Sequence, residues 1–454
     1  MSSVSALPSS APLSSAGRPK MNALTSTRFF AALYVVFFHF RWGLPRGGAL
    51  DQFLDVGYVA VSFFFLLSGY ILAMVYLRNE KKIDPATFYS ARFARIYPLF
   101  IACVLLDTPF AVMMRISKYG LAGAVERVIQ MFMGTAVMLH MFLPTIANIN
   151  VPSWSLSIEA VFYLIFPILG PVLWRLRKRS LYIIAPAIYL ASLTLRYVVA
   201  GIWPVPLPVL ELPSFIGIFA IGILAARLSV NSEAMPGRIA SHRLFAWGVL
   251  IASLAGFGLV VIASPWLLQH RIHLGLLLAP VFVGVIWTLS ASCISGMSWL
   301  NAKWLVILGE ASFGIYLLQW PVRQLLELFH LTGSLLDYPL FFGLLLGISV
   351  LSFRYYESPA RRWILEMFHS RTKETWMPRQ VAMVTLHKQS MERAYDRSQD
   401  SAQAALHRLE GGVEGVVSDE LIRASIASHR GPQLQREVSM KPRGESTSQA
   451  PASR

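Results

Sequence analysis

Cysteine is nearly absent from this chain: Cys103 and Cys293 are the only two in 454 residues, and both lie inside apolar runs. Two thiols are too few for a disulfide framework or a metal cluster, so both read as small core hydrophobes and no metal site is expected. Charge is scarce as well. Asp, Glu, Lys and Arg make up 14% of the chain against 55% hydrophobic residues, a balance that does not suit a soluble core wrapped in polar surface. Acidic residues are the rarer sign, 24 against 40 Lys and Arg, for a formal charge of +16. That excess does not point to nucleic acid, because no soluble segment interleaves basic and aromatic residues. In a membrane protein it marks cytoplasmic loops. Residues 1–20 are rich in Ser, Ala and Pro and lack the apolar stretch of a cleavable signal peptide, so they read as a disordered cytoplasmic leader.

What the chain has in abundance is long apolar runs. Ten stretches of about membrane length lie near 24–40, 54–77, 93–114, 155–174, 181–200, 209–227, 244–263, 272–291, 303–327 and 338–353. The expected fold class is therefore all-α, a polytopic membrane helix bundle of about ten transmembrane helices. With the amino terminus in the cytoplasm, Arg78, Lys81, Lys82, Arg92 and Arg95 fall in the first inner loop, Arg175, Arg177, Lys178 and Arg179 in the second, and Arg227, Arg238 and Arg243 in the third. The opposite loops hold fewer cations, which puts both termini inside. Val128 to Leu143 is apolar and free of Lys, Arg, Asp and Glu. Were it to cross the membrane every later loop would invert, so it reads as a re-entrant or interfacial helix. Beyond Arg362 the apolar pattern collapses; helical periodicity returns around Gln389 to Leu409 without a continuous apolar face. The resulting division is a leader over 1–20, a membrane domain over 21–365 and a largely disordered cytoplasmic tail over 366–454.

Ionisable residues inside spans are costly and are functional candidates for that reason. The first span reads R-F-F-A-A-L-Y-V-V-F-F-H, with Arg28 and His39 at its two ends. Eleven steps of helical rise separate them by roughly 16 Å. His39 reads either as an interfacial anchor or as an acid–base residue, and Arg28 either snorkels to the inner interface or serves a site. Arg92 and Arg95, in R-F-A-R-I-Y-P, share a helix face; they suit phosphate groups, or act as positive-inside anchors. The fourth span opens P-S-W-S-L-S-I-E-A-V-F-Y, where Ser155, Glu159 and Tyr163 are spaced by four and Trp154 marks the outer interface. Glu159 needs a partner, and the candidates are His39 at similar depth or Arg41 in an outer loop. Ser68 and Gly69 in F-F-F-L-L-S-G-Y suit close helix approach, and Tyr316 and Trp320 suit the interfacial aromatic belt.

In order and placement these segments resemble acyltransferase family 3 of integral membrane proteins. The resemblance runs from about Leu24 to Arg362 and rests on six pieces of sequence: Arg28 with His39, F-F-F-L-L-S-G at 63–69, R-x-x-R-I-Y-P at 92–98, W-S-L-S-I-E at 154–159, S-F-G-I-Y-L at 312–317 and E-S-P at 357–359. It implies an O-acyltransferase of the inner (plasma) membrane. Acyl-CoA, acetyl-CoA by family frequency, is the donor substrate bound from the cytoplasm. The acceptor is a hydroxyl of a carbohydrate or lipid-linked glycan of the cell envelope. By the same resemblance Arg92 and Arg95 hold the CoA phosphates with Arg28 near the inner end, His39 is catalytic, and Glu159 stands in the matching carboxylate position to orient or support it. Trp154, Ser155 and Tyr163 are the substrate-binding candidates. Two features depart from the family: Gln319 stands where members usually carry His, and the tail shows no esterase-like nucleophile motif, which suits a standalone membrane enzyme. A multi-span transporter and a non-catalytic scaffold are the competing readings. A transporter would bring internal repeats or paired broken helices, and the sequence displays neither.

Overall fold

The computed structural model describes residues 21–41, 44–78, 82–142, 148–202, 207–230, 242–290 and 295–368. The expected leader over 1–20 and the tail from 369 onward, with its periodic stretch at 389–409, lie outside the described residues, as does Cys293. Among the described residues there is no strand, and the fold is all-α. In chain order the helices are α1 (Asn22–His39), α2 (Ala49–Asp55), α3 (Val59–Tyr76), α4 (Pro85–Ala136), α5 (Trp154–Trp174), α6 (Lys178–Ile202) and α7 (Leu207–Ser229). They continue with α8 (Arg243–Gln269), α9 (Leu274–Leu277), α10 (Ala279–Ser290), α11 (Lys303–Glu310), α12 (Ser312–Leu328) and α13 (Tyr338–Ser352). A π-helical turn over Phe353–Glu357 follows, and the helix then runs on to residue 368.

Each of the ten expected spans falls on one of these helices or on an adjoining pair. Six helical segments, Val59–Tyr76, Pro85–Ala136, Val151–Trp174, Glu211–Ser229, Arg243–Gln269 and Leu335–Phe368, are long and apolar enough to cross a membrane, and α11 with α12, bent by 59°, makes up to seven. The others differ for physical reasons. Helix α1 carries Thr25, Ser26, Thr27 and Arg28 in its first half, and α10 has 12 residues, about 18 Å of rise against a hydrocarbon thickness near 30 Å.

The core is centred on α3, whose F-F-F-L-L-S-G-Y sequence has apolar residues all round and buries most of them. It crosses α7 at a pair of glycines. A Cβ on Gly69 would lie 2.2 Å from the Phe219 carbonyl oxygen, and one on Gly222 would lie 2.1 Å from that of Leu66. The expectation that Gly69 permits close helix approach is met at this crossing. Cys103 is buried with a free thiol, a small core residue as expected.

Helix α4 starts at Asp84, whose carboxylate accepts from the Thr87 backbone N–H at 2.9 Å, with Pro85 in the first turn. It breaks at Gly120, where φ is +67° and ψ 172°, a conformation that side chains bearing a Cβ rarely adopt. The segment expected as a separate helix from Val128 therefore begins earlier, directly after Gly120, and ends at Ala136. One side of it, Ala124, Val128, Met131 and Thr135, is buried against the bundle.

Candidate active site

The R-x-x-R motif and the W-S-L-S-I-E motif converge because three residues in α4 and four in α5 each bring their members round to one helix face. Together with Arg28 of α1, Ser68 of α3 and Tyr316 of α12, they line a cavity of about 250 Å³. The structure thus brings together Arg28, Arg92, Arg95, Ser155, Glu159 and Tyr163, six of the eight residues picked from the sequence. Arg28 faces this cavity rather than snorkelling to an interface, and among the described residues it has no hydrogen-bond or ion-pair partner.

Aromatic rings hold the other two guanidinium groups. Arg92 lies 5.6 Å from the Tyr76 ring centroid, 5.9 Å from that of Phe88 and 5.8 Å from that of Tyr163. It donates to the Tyr76 hydroxyl at 3.2 Å, while its Nε is buried with no partner. Arg95 lies 5.6 Å from the Phe313 centroid and 3.6 Å from Glu357 Oε2, the carboxylate of the E-S-P motif. Such cation–π contacts orient a guanidinium without using up its donors. The Ser312 hydroxyl, also on the cavity wall, is buried and unpartnered.

Glu159 is engaged within its own helix and with α3. The Tyr163 hydroxyl donates to Glu159 Oε1 at 2.6 Å and Ser68 Oγ donates to the same oxygen at 3.4 Å. The expected support of His39 by Glu159 is therefore corrected: the two make no contact. Arg41, the other candidate partner, pairs instead with Asp51 at 2.9 Å and with Asp55. Trp154 is also displaced from its expected role; its ring packs on Phe65 and Phe215, and it is not part of the cavity wall.

His39 is not part of the cavity wall. Its Nδ1 is 3.0 Å from Gln319 Oε1, and its ring stands edge-on to Trp320 with centroids 6.2 Å apart. Gln319 in turn donates to the Tyr316 carbonyl at 2.6 Å. Tyr316 lines the cavity and Gln319, three residues further along α12, holds His39, so the imidazole sits about one helical turn from that part of the wall. Tyr316 is not an interfacial-belt residue: it is buried, its hydroxyl is 2.7 Å from Ser155 Oγ, and it donates to the Pro152 carbonyl at 2.8 Å.

Three features went unnoticed in the sequence. Arg361 adds a fourth guanidinium to the cavity, four residues after Glu357 and hence on the same helix face. Asp107 is 0% exposed and accepts from Asn150 Nδ2 at 2.7 Å. Turned to satisfy both neighbours, the Gln324 carboxamide donates to Asp107 Oδ1 at 3.0 Å and accepts from Trp320 Nε1 at 2.9 Å. Asn150 also donates to the Leu317 carbonyl at 3.1 Å, which Pro321 leaves without its helical N–H. A single Asp in a run as apolar as 99–114 gives no signal of its partners.

The chain matches the family described as Acyltransferase domain over residues 21–354. It is 28% identical over 332 residues to the acyltransferase MdmB of Streptomyces mycarofaciens, covering 67% of this chain and 79% of that protein. It is 23% identical over 366 residues to the O-acetyltransferase OatA of Staphylococcus aureus, covering 75% of this chain and 57% of OatA. A shorter match, 39% over 85 residues, is to protein 2 in the picA locus of Rhizobium radiobacter, covering 18% of this chain and 41% of that protein. No solved structure matches. With the family match spanning most of the chain and apolar helices throughout, the protein belongs to acyltransferase family 3 and is a multi-pass membrane O-acyltransferase.

Proposed function

We propose that this enzyme moves an acyl group, acetyl by default, from acyl-CoA bound at the cytoplasmic face to a hydroxyl of a carbohydrate or lipid-linked glycan on the opposite face of the inner (plasma) membrane. The observation that carries the reading is the cavity itself. Arginines cluster along it, one of them with an unpartnered Nε, and Tyr316 of its wall is linked through Gln319 to an imidazole. Sites that enclose a whole drug-sized ligand run to about 300–1,000 Å³, so a cavity of about 250 Å³ suits an extended chain whose bulky charged end stays at the mouth. A pantetheine arm inside, with nucleotide phosphates on Arg28, Arg92 and Arg95, has that shape and charge. In this arrangement all ten expected spans cross the membrane, with the broken and short helices contributing, and both termini are cytoplasmic.

His39 is the reacting base in this proposal. It takes the proton of the acceptor hydroxyl as that oxygen attacks the thioester carbonyl. The C–S bond then breaks, and the departing thiolate recovers the proton from the imidazolium, leaving an O-acyl ester and CoA-SH. Attack by the imidazole itself, with a transient acyl-histidine, gives the same products. Glu159 no longer fits as a partner of His39. Its place beside Tyr163 and near the arginines suits balancing their charge at the donor end. Trp154 keeps only a packing role. Free CoA released from acetyl-CoA by the purified enzyme with cell-envelope glycan as acceptor tests the reading. Wild-type protein should release it and His39→Ala should not, whereas equal release by both excludes His39 as the base.

A further inference from the structure

We propose that Gln319 is a positioning residue for this acyl transfer: it holds His39 as the tautomer protonated on Nδ1, so that Nε2 is the nitrogen that meets the acceptor. The inference rests on the proposed role of His39.

Gln319 is 0% exposed on α12, where its carboxamide has no water to choose from. Its nitrogen sits 2.6 Å from the Tyr316 carbonyl oxygen, a group that only accepts. That contact fixes which end of the amide is which, and directs the oxygen toward His39 Nδ1 at 3.0 Å. A carboxamide oxygen also only accepts, so Nδ1 must carry the hydrogen. A neutral imidazole has one N–H, and its lone pair therefore lies on Nε2. The ring is held in this orientation by Trp320 edge-on, and Trp320 is itself tethered through Gln324 to Asp107. Because an amide neither gains nor loses a proton at ordinary pH, Gln319 acts on the reaction only by orienting His39.

The test uses full-length protein in lipid, labelled with 15N-histidine and compared as wild type, Gln319→Met, Gln319→Glu and His39→Asn, the last to identify the His39 signals. Met keeps the length of the side chain without the acceptor, and Glu keeps the acceptor. Wild type and Gln319→Glu should show Nδ1 protonated and Nε2 bare, while Gln319→Met loses that preference. In parallel, CoA release from acetyl-CoA in membranes should fall roughly tenfold in kcat for Gln319→Met with KM for acetyl-CoA unchanged, the scale of one lost hydrogen bond, and Gln319→Glu should keep most of it. A wild-type ring protonated on Nε2, or a Gln319→Met enzyme with unchanged kcat, overturns the proposal. Wild-type release by His39→Asn instead overturns the functional reading beneath it, whichever tautomer is seen.

Discussion

Arg95 on α4 lies 3.6 Å from Glu357 in the π-helical turn after α13, so two motifs far apart in sequence meet at a guanidinium that lines the cavity. The carboxylate is 4% exposed and the guanidinium 21%. Removing the cation alone strands a buried charge, which costs about 3–5 kcal/mol, far more than an exposed pair would. Arg95→Ala should therefore lower thermal stability in detergent as well as activity. Adding Glu357→Gln to it should restore most of the stability and none of the activity, because the donor contact is still missing. Recovery of both, or of neither, would show that the pair is not the link between the two effects.

The crossing of α3 and α7 makes a sharper demand on packing. A methyl group on Gly69 would meet the Phe219 carbonyl at 2.2 Å, against backbone that cannot swing aside. Gly69→Ala should cost about 1–3 kcal/mol as the helices part, read as a lower unfolding midpoint in detergent. Gly248→Ala, at a position with nothing within 4 Å of the added carbon, is the control and should leave the midpoint in place.

His140 supplies a pH dependence that lies outside the spans. It sits in the connection after α4, 5% exposed, with Nδ1 unpartnered and Nε2 3.5 Å from Ser153 Oγ. Burial pushes its imidazole down to about 4, outweighing the opposing contact with Ser153. The unfolded chain takes up this proton near pH 6.5, whereas the folded protein resists until about pH 4. Between those values the unfolded state binds more protons, so stability falls as the pH drops, by on the order of 1–3 kcal/mol in total. Thermal unfolding followed from pH 7 to 4 should show this loss in wild type and a smaller one in His140→Leu. Identical slopes for both proteins would remove His140 from the account.

The fold class, the position of each long helix and the grouping of residues on one face of a helix were legible in the sequence because they depend on apolar run length and on helical spacing within one segment. Arg92 with Arg95, and Ser155 with Glu159 and Tyr163, needed only the periods of three and four. Partners across segments were not legible. The pairing of Glu159 with His39 was expected from similar depth in two spans, but Glu159 lines the cavity with Arg28, at the opposite end of α1 from His39, and Tyr163 one turn away reaches its carboxylate. Gln319 drew notice only as a departure from the family pattern, although it is the side chain that touches His39. Tyr316 looked like belt material because aromatic character is shared by interfacial and buried tyrosines. Asp107 was missed because its partners, Asn150 and Gln324, are neutral amides in distant segments.

The central claim is that His39 and the arginine-lined cavity perform one transfer across the membrane. It is tested most directly by the acyl content of surface glycans in a deletion strain complemented with wild type, His39→Ala or Arg95→Ala, at matched protein levels in the membrane. Wild type alone should restore acylation, with Arg95→Ala/Glu357→Gln as inactive as Arg95→Ala. Full restoration by His39→Ala would contradict the account.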